Sequence, residues 1–115
     1  MKVLIIDDEK TALQTSTAIL QSLGHRVETA FTEAQARRRL QDEPFDAVFL
    51  DYELGDQGNS LELVEFIHEL DPHLPAMVYA ATSTVRSAVE SMRRGAFDYI
   101  QKPLVPKEAA HALEK

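Results

Sequence analysis

The sequence VLIIDDE at residues 3–9 places two adjacent carboxylates, Asp7 and Asp8, directly after an apolar run. A run of strand length without a polar side chain is typical of a strand buried on both faces of a parallel sheet. A second such run, at residues 47–50, is also followed by a carboxylate, that of Asp51. If the two runs are neighbouring parallel strands, the three carboxylates meet at the carboxyl edge of the sheet, where open α/β sheets bind their ligands. The sequence therefore predicts an acidic pocket that suits a hard divalent cation.

Strand-like runs alternate with stretches of helical period along the whole chain. The predicted strands are 2–6, 26–30, 46–50, 75–80 and 97–100, and the predicted helices are 10–23, 33–41, 59–70, 84–94 and 106–114. Gly24 is predicted to stop the first helix, a Thr32 to Gln35 capping box to begin the second, and Pro106 to begin the last. Five βα units imply right-handed crossovers and a parallel sheet. We predict a flavodoxin-like, doubly wound (βα)5 sheet of order 2-1-3-4-5, with the alternating segment 26–30 as an edge strand.

The composition is that of one small acidic domain. The 115 residues fit a single domain spanning 1–115, and the chain has no Cys. The formal net charge of -7 argues against a direct nucleic-acid partner, because phosphate backbones are bound by clustered cations. The absence of a long apolar stretch in the sequence argues against a membrane span. We expect a cytoplasmic protein in which the scattered histidines have no role.

Lys102 follows the predicted strand 97–100 and should project its ammonium group from the same sheet edge. A cation beside carboxylates can hold an anionic guest, such as a phosphoryl group, that the carboxylates alone would repel. An Asp carboxylate can also accept that group as an aspartyl phosphate. Considered alone, Asp8 or Glu9 could simply cap the following helix.

Three stretches together resemble the receiver domain of two-component response regulators. They are VLIIDDE at 3–9, Asp51 after an apolar strand, and GAFDYIQKP at 95–103. The resemblance covers essentially the whole chain, and the GAFDY stretch is most similar to receivers of the NtrC type, which are commonly fused to an ATPase and a DNA-binding domain.

By position, the resemblance implies that Asp51 is the phosphoacceptor and binds Mg²⁺ directly together with Asp8, whereas Asp7 acts through water. The backbone carbonyl of Glu53 would be a further Mg²⁺ ligand. The ammonium group of Lys102 would contact the phosphoryl group.

The resemblance also implies that Tyr99 is an aromatic switch residue and that the Lys102–Pro103 peptide bond is cis. A permanently inward Tyr99 ring is the simpler alternative. The family's usual phosphodonor is a sensor histidine kinase or a phosphotransfer protein, and the responding surface is that of helix 4, strand 5 and helix 5. That surface would control an output domain and form a homodimer. Such a module is a switch whose only chemistry is its own phosphorylation and dephosphorylation, and the short last helix suggests a piece of a larger regulator.

Two departures from the family stand out. Receivers carry Thr or Ser at the end of strand four, but the family's spacing back from Lys102 lands on Ala80, with Thr82 or Ser83 as partial substitutes. Tyr79 could simply pack, or fill the space that a Thr would have used. The loop at residues 52–60, which follows Asp51, is also one residue longer than the family's.

Ala80 favours an alternative function, that of a receiver-like protein-interaction module that works without phosphorylation. A haloacid-dehalogenase-like phosphatase would use Glu53 as its second acid, but it would leave Asp7 and Asp8 unexplained. A flavin electron carrier needs a phosphate loop after strand one, where the acidic residues 7–9 would repel the phosphate.

Overall fold

A computed structural model describes residues 1–54 and 60–114. In chain order the elements are β1 (Lys2–Ile6), α1 (Lys10–Ser22), β2 (Arg26–Ala30), α2 (Glu33–Asp42), β3 (Ala47–Asp51), α3 (Leu61–Leu70), β4 (Ala76–Ala80), α4 (Val85–Arg93), β5 (Asp98–Gln101) and α5 (Pro106–Glu114). The alternation of strand and helix is the one that the sequence predicts. In the described part of the chain, no helix is long and apolar enough to cross a bilayer.

The five strands form one parallel sheet of order β2-β1-β3-β4-β5. This order confirms the predicted doubly wound fold. β2 lies at an edge, as predicted, and its side chains before the buried Ala30 are at least partly exposed, whereas β3 and β4 are buried along their whole length. β1 and β3 are neighbours whose chains leave the sheet in opposite directions to reach the next strand, so their carboxyl ends flank the switch point.

Successive side chains of each strand face opposite sides of the sheet. The side that packs against α1 and α5 receives Val3, Ile5, Phe49, Met77 and Tyr79. The side that packs against α2 and α3 receives Leu4, Ile6, Leu50 and Val78, with Tyr99 against the same core. This alternation decides which polar side chains can meet at the carboxyl edge.

Several predicted boundaries shift by one residue. Strand three was expected at 46–50, but β3 ends at Asp51, because the Tyr52 N–H donates to the Tyr79 carbonyl and extends the ladder past Asp51. The predicted strands 75–80 and 97–100 likewise begin one residue later, and β5 also ends one residue later. The predicted helix start at residue 59 lies outside the described residues.

Two capping predictions have different outcomes. Gly24 follows α1 with φ +92° and its N–H donates to the Gln21 carbonyl, as a helix stop requires. At α2 the Thr32 hydroxyl accepts from the Gln35 N–H, but the Gln35 side chain accepts from the Phe31 N–H instead of that of Thr32. The reciprocal half of the predicted capping box is therefore wrong by one residue.

Candidate functional site

Three carboxylates meet at the switch point between β1 and β3. Asp7 directly follows β1, Asp51 is the last residue of β3, and one oxygen from each of Asp7, Asp8 and Asp51 lies within 4.8 Å of the other two. Asp7 is fully buried and Asp51 is only 6% exposed, whereas Asp8 is exposed. The pocket that the sequence predicts is therefore present, with two carboxylates inside the fold and one at its mouth.

Lys102 brings a positive charge to the two buried carboxylates. Its Nζ lies 2.9 Å from Asp7 Oδ2 and 3.1 Å from Asp51 Oδ2. Its backbone N–H donates to the Ala80 carbonyl, which ties this residue to the end of β4. The next peptide bond, Lys102–Pro103, is cis, as predicted.

Burial and charge perturb the protonation of this pocket. Burial, reinforced by the Asp7 charge and opposed by Lys102, raises the pKa of Asp51 to about 6. Burial alone would lower the pKa of Lys102, but the hydrogen bond to Asp7 and the charges of both carboxylates outweigh it and raise that pKa. The pocket thus keeps the Lys102 side chain protonated and disfavours ionisation of Asp51.

The donor set fits a hard divalent cation. Carboxylate oxygens within a few ångströms of one another repel when ionised, and a cation removes that repulsion. Hard cations such as Mg²⁺ prefer oxygen ligands and retain several waters, and the carboxylate of Asp8 is exposed. Glu53 lies two residues past Asp51, and its N–H donates to Asp51 Oδ1 at 3.2 Å. The role of its carbonyl as a metal ligand stays a prediction.

Tyr79 adds a hydroxyl to the pocket that sequence reasoning missed. Its phenol donates to Asp7 Oδ2 at 2.7 Å, and Lys102 Nζ lies 4.8 Å from the centre of its ring. Burial and the nearby Asp7 charge raise the pKa of Tyr79, so the phenol stays protonated and remains a donor. The suggestion that Tyr79 fills the space of a missing Thr is wrong, because its side chain faces the α1 and α5 side, opposite to that of Ala80.

Ala80 ends β4, as predicted, and is 1% exposed. It therefore provides no hydroxyl at the strand end. Thr82 and Ser83 lie in the exposed loop before α4, so Thr82 does not end the strand. The loop at 52–60, which is predicted to be one residue longer than the family's, includes residues 55–59, which lie outside the described residues.

Tyr99 lies on the side of the sheet that packs against α2 and α3, and its half-buried side chain contacts Ser87 of α4 and Tyr52 after β3. Its hydroxyl and the Ser87 hydroxyl are 2.7 Å apart. Ser87 forms the capping box of α4 with Thr84. The Tyr99 ring meets the Tyr52 ring edge to face, with centroids 6.5 Å apart. Tyr99 is thus held against the first turn of α4, and its role as a switch stays a prediction.

The contacts of Tyr79 and Ser87 were not predicted, although the sequence carried a partial signal for each. In the strand period, Tyr79 has the same parity as Met77 and lies opposite Asp51 in the register, which places it on the side of the acidic pocket. Thr84 and Ser87 have the spacing of a helix N-cap and its third residue, which predicts a hydroxyl pair near the end of β4.

Comparison with known proteins identifies the family. The chain matches the response regulator receiver domain over residues 3–114, and it belongs to that family of signalling modules. The chain is 35% identical over 114 residues to the alginate biosynthesis transcriptional regulatory protein AlgB of Pseudomonas aeruginosa, a match that covers 99% of this chain and 25% of AlgB. The chain thus spans about a quarter of the length of this relative.

Two solved structures share the fold closely. A response regulator from Burkholderia pseudomallei with a phosphorylated aspartic acid, a calcium ion and citrate superposes with a TM-score of 0.90 at 26% identity, over 97% of this chain and 65% of that one. The beryllofluoride-activated NtrC4 receiver domain dimer superposes with a TM-score of 0.88 at 28% identity, over 98% and 96% of the two chains. These relatives confirm the predicted similarity to NtrC-type receivers.

Proposed function

We propose that this domain is a phosphoacceptor signalling module in which Asp51 receives the phosphoryl group. The observation that carries the proposal is the position of Lys102, whose ammonium group lies 3.1 Å from an Asp51 oxygen inside an otherwise acidic pocket. In the reaction, the phosphorus–nitrogen bond of a phosphohistidine donor breaks, and an Asp51 oxygen forms the new bond to phosphorus. The electron pair of the broken bond stays on the histidine nitrogen.

The chain's own residues supply positioning and charge for this transfer. Lys102 can neutralise charge on the phosphoryl oxygens, and the Glu53 N–H orients the Asp51 carboxylate at Oδ1. Mg²⁺, bound by Asp8, Asp51 and the Glu53 carbonyl, with Asp7 acting through water, would supply further positive charge. The relative from Burkholderia pseudomallei, which holds a phosphorylated aspartic acid and a calcium ion, supports this assignment.

Intact mass spectrometry after incubation with Mg²⁺ and acetyl phosphate tests the proposal. The wild type should gain one phosphoryl mass, and Asp51→Asn should gain none. Asp71→Asn, a variant of an exposed Asp after α3, is the matched control and should be labelled like the wild type. Chelation of Mg²⁺ with EDTA should abolish labelling. Equal labelling of wild type and Asp51→Asn would remove Asp51 from the assigned role.

A second function has one observation in its favour, the Ala80 side chain at the end of β4. A receiver that cannot transmit phosphorylation to its output surface can still bind a partner through that surface. If the wild type gains no phosphoryl mass from acetyl phosphate or from a phosphorylated histidine protein, this phosphorylation-independent interaction module replaces the leading proposal.

The proposed partners are supported by membership of the family. As part of the proposal, the module acts in the cytoplasm, receives its phosphoryl group from a sensor histidine kinase or phosphotransfer protein, and controls an output domain. AlgB is by name a transcriptional regulatory protein, and transcription is the output that we propose here.

We also propose a homodimer through α4, β5 and α5. Val85 is 82% exposed, and Val89 and Met92 extend the same apolar stripe along α4. The NtrC4 receiver, which superposes on this chain, is a dimer when activated by beryllofluoride. Sedimentation equilibrium at high protein concentration should show self-association of the wild type and weaker association of Val89→Lys. A monomer both with and without beryllofluoride would contradict the dimer for this domain.

A further inference from the structure

Tyr79 is a buried polar residue that the proposed transfer does not use. It is 1% exposed, lies at the penultimate position of β4, and packs with the side chains of α1 and α5. A phenol at such a depth normally needs a hydrogen-bond partner. The Ser16 side chain is one partner here, and Asp7 Oδ2, inside the acidic pocket, is another, so that the hydroxyl is part of the site as well as of the core.

Asp7 Oδ2 accepts from two donors at once. The Tyr79 hydroxyl lies at 2.7 Å and Lys102 Nζ at 2.9 Å, while Asp7 Oδ1 accepts from the Glu9 N–H. Because Asp7 is fully buried, removal of a donor from its carboxylate leaves its charge less well compensated in the interior.

The proposed phosphorylation asks Lys102 to give up part of this arrangement. Its ammonium group bonds both Asp7 and Asp51, and contact with phosphoryl oxygens on Asp51 must weaken its contact with Asp7. Without another donor on Asp7 Oδ2, that movement would leave a buried carboxylate oxygen without its hydrogen bond. The Tyr79 hydroxyl already occupies the second acceptor direction of the same oxygen.

We propose that Tyr79 is a positioning residue whose hydroxyl keeps Asp7 Oδ2 hydrogen-bonded while Lys102 turns to the phosphoryl group. The inference rests on the proposed function, because it assigns Lys102 to the phosphoryl oxygens. Tyr79 does not touch the phosphoryl group itself. Its effect on phosphoryl binding passes through Lys102, and it therefore disappears when Lys102 is absent.

A double-mutant cycle tests this dependence. Beryllofluoride affinity in saturating Mg²⁺ is measured by NMR titration for wild type, Tyr79→Phe, Lys102→Ala and the double variant. Tyr79→Phe should weaken beryllofluoride binding roughly tenfold in the wild-type background, as expected for a lost hydrogen bond to a charged group. In the Lys102→Ala background, the same substitution should change the affinity by less than roughly twofold.

Ser91→Ala is the matched control, because it removes a buried hydroxyl that is bonded to the Ser87 carbonyl, away from the pocket. Its beryllofluoride affinity should stay within roughly twofold of the wild-type value. Amide spectra recorded in the same titrations report whether each variant is folded.

An equal loss in both backgrounds would overturn the inference, since the effect would not pass through Lys102. So would unchanged or tighter binding by Tyr79→Phe. If Tyr79→Phe proves unfolded, Tyr79→Gln, which retains a donor, is compared with Tyr79→Met, which has none, and equal affinities of these two would also overturn it. A wild type that does not bind beryllofluoride at all would overturn the phosphoacceptor assignment, and the role of Tyr79 with it.

Discussion

The last two residues of β4 point to opposite faces of the sheet, and they differ in what they contribute. Tyr79, on the α1 and α5 face, places a hydroxyl on the buried Asp7 carboxylate. Ala80, on the α3 and α4 face, has only a methyl group, and the polar pair Tyr99 and Ser87 lies on that side. One face is therefore connected to the acidic pocket by hydrogen bonds, and the other lacks a polar side chain at the strand end.

This difference separates two properties of a receiver, the binding of a phosphoryl group and the transmission of that event. In the proposed function, a cation and a phosphoryl group are bound by the carboxylates and Lys102, which lie together on the first face. Transmitting that event to α4 requires an interaction that differs between the two states of Tyr99. The residues proposed for the first requirement lie within contact distance of one another, whereas Ala80 leaves the second without the hydroxyl that is usual in the family.

The largest expected effect concerns charge in the pocket. In the absence of metal, Asp51→Asn should stabilise the folded domain at pH 7–8. The pKa of Asp51 is raised to about 6, above the ordinary value of 3.8. Between pH 3.8 and about pH 6 the folded state binds more protons than the unfolded state, so the free energy of unfolding falls as pH rises through this window. The gain from Asp51→Asn should be on the order of 2–3 kcal/mol at pH 7–8 and small at pH 4, as measured by urea unfolding in EDTA.

The effect of Mg²⁺ on the melting temperature tests the same repulsion between the carboxylates. At millimolar concentration Mg²⁺ should raise the melting temperature of the wild type, because it neutralises the carboxylates, and it should do so much less in Asp8→Asn. A stability gain from Asp51→Asn that is the same at pH 4 and pH 8, or a melting temperature insensitive to Mg²⁺, would show that the pocket stores no electrostatic strain.

The pocket itself was predictable from the sequence because its residues come at the ends of strands. Apolar runs that end in Asp7 and Asp51 define both the strands and the site, and the order of the strands follows from the βα alternation. The shift of β3 by one residue does not alter this, because Asp51 remains at the same edge. Strong periodicity and strand-end chemistry here predict the same structure.

The contacts of Tyr79 and Ser87 were not predicted, because they depend on tertiary packing. An isolated Tyr in a buried strand usually packs as an apolar ring, and only the register with Asp51 shows that its hydroxyl reaches the pocket. Ser87 lies within the predicted helix 84–94, but its contact with Tyr99 joins α4 to β5 across the end of the sheet. Pairings between elements of this kind are not encoded in local patterns.

A smaller expected effect tests the Ala80 side of the comparison directly. Beryllofluoride should bind at Asp51 of the wild type yet cause only small chemical-shift changes at Tyr99 and along α4. Ala80→Thr should respond with larger changes, because the added hydroxyl can donate to the phosphoryl analogue. A hydrogen bond to a charged group contributes about 1.5–3 kcal/mol, which would change the ratio of the two states of Tyr99 by about ten- to a hundredfold.

Ala80→Val is the control that separates the hydroxyl from its bulk. Val and Thr have the same shape, and the site is only 1% exposed, so both variants crowd the strand end equally while only Thr adds a donor. Ser87→Ala, which removes the partner at 2.7 Å from the Tyr99 hydroxyl, should release the ring without beryllofluoride and thereby identify the shifts that belong to Tyr99.

Equal responses of Ala80→Thr and Ala80→Val would mean that packing, not hydrogen bonding, couples the pocket to α4. A full Tyr99 rearrangement in the wild type, to which Ala80→Thr adds nothing, would instead assign the coupling to Thr82, Ser83 or another contact, and the two faces of β4 would then be equally well connected to the pocket.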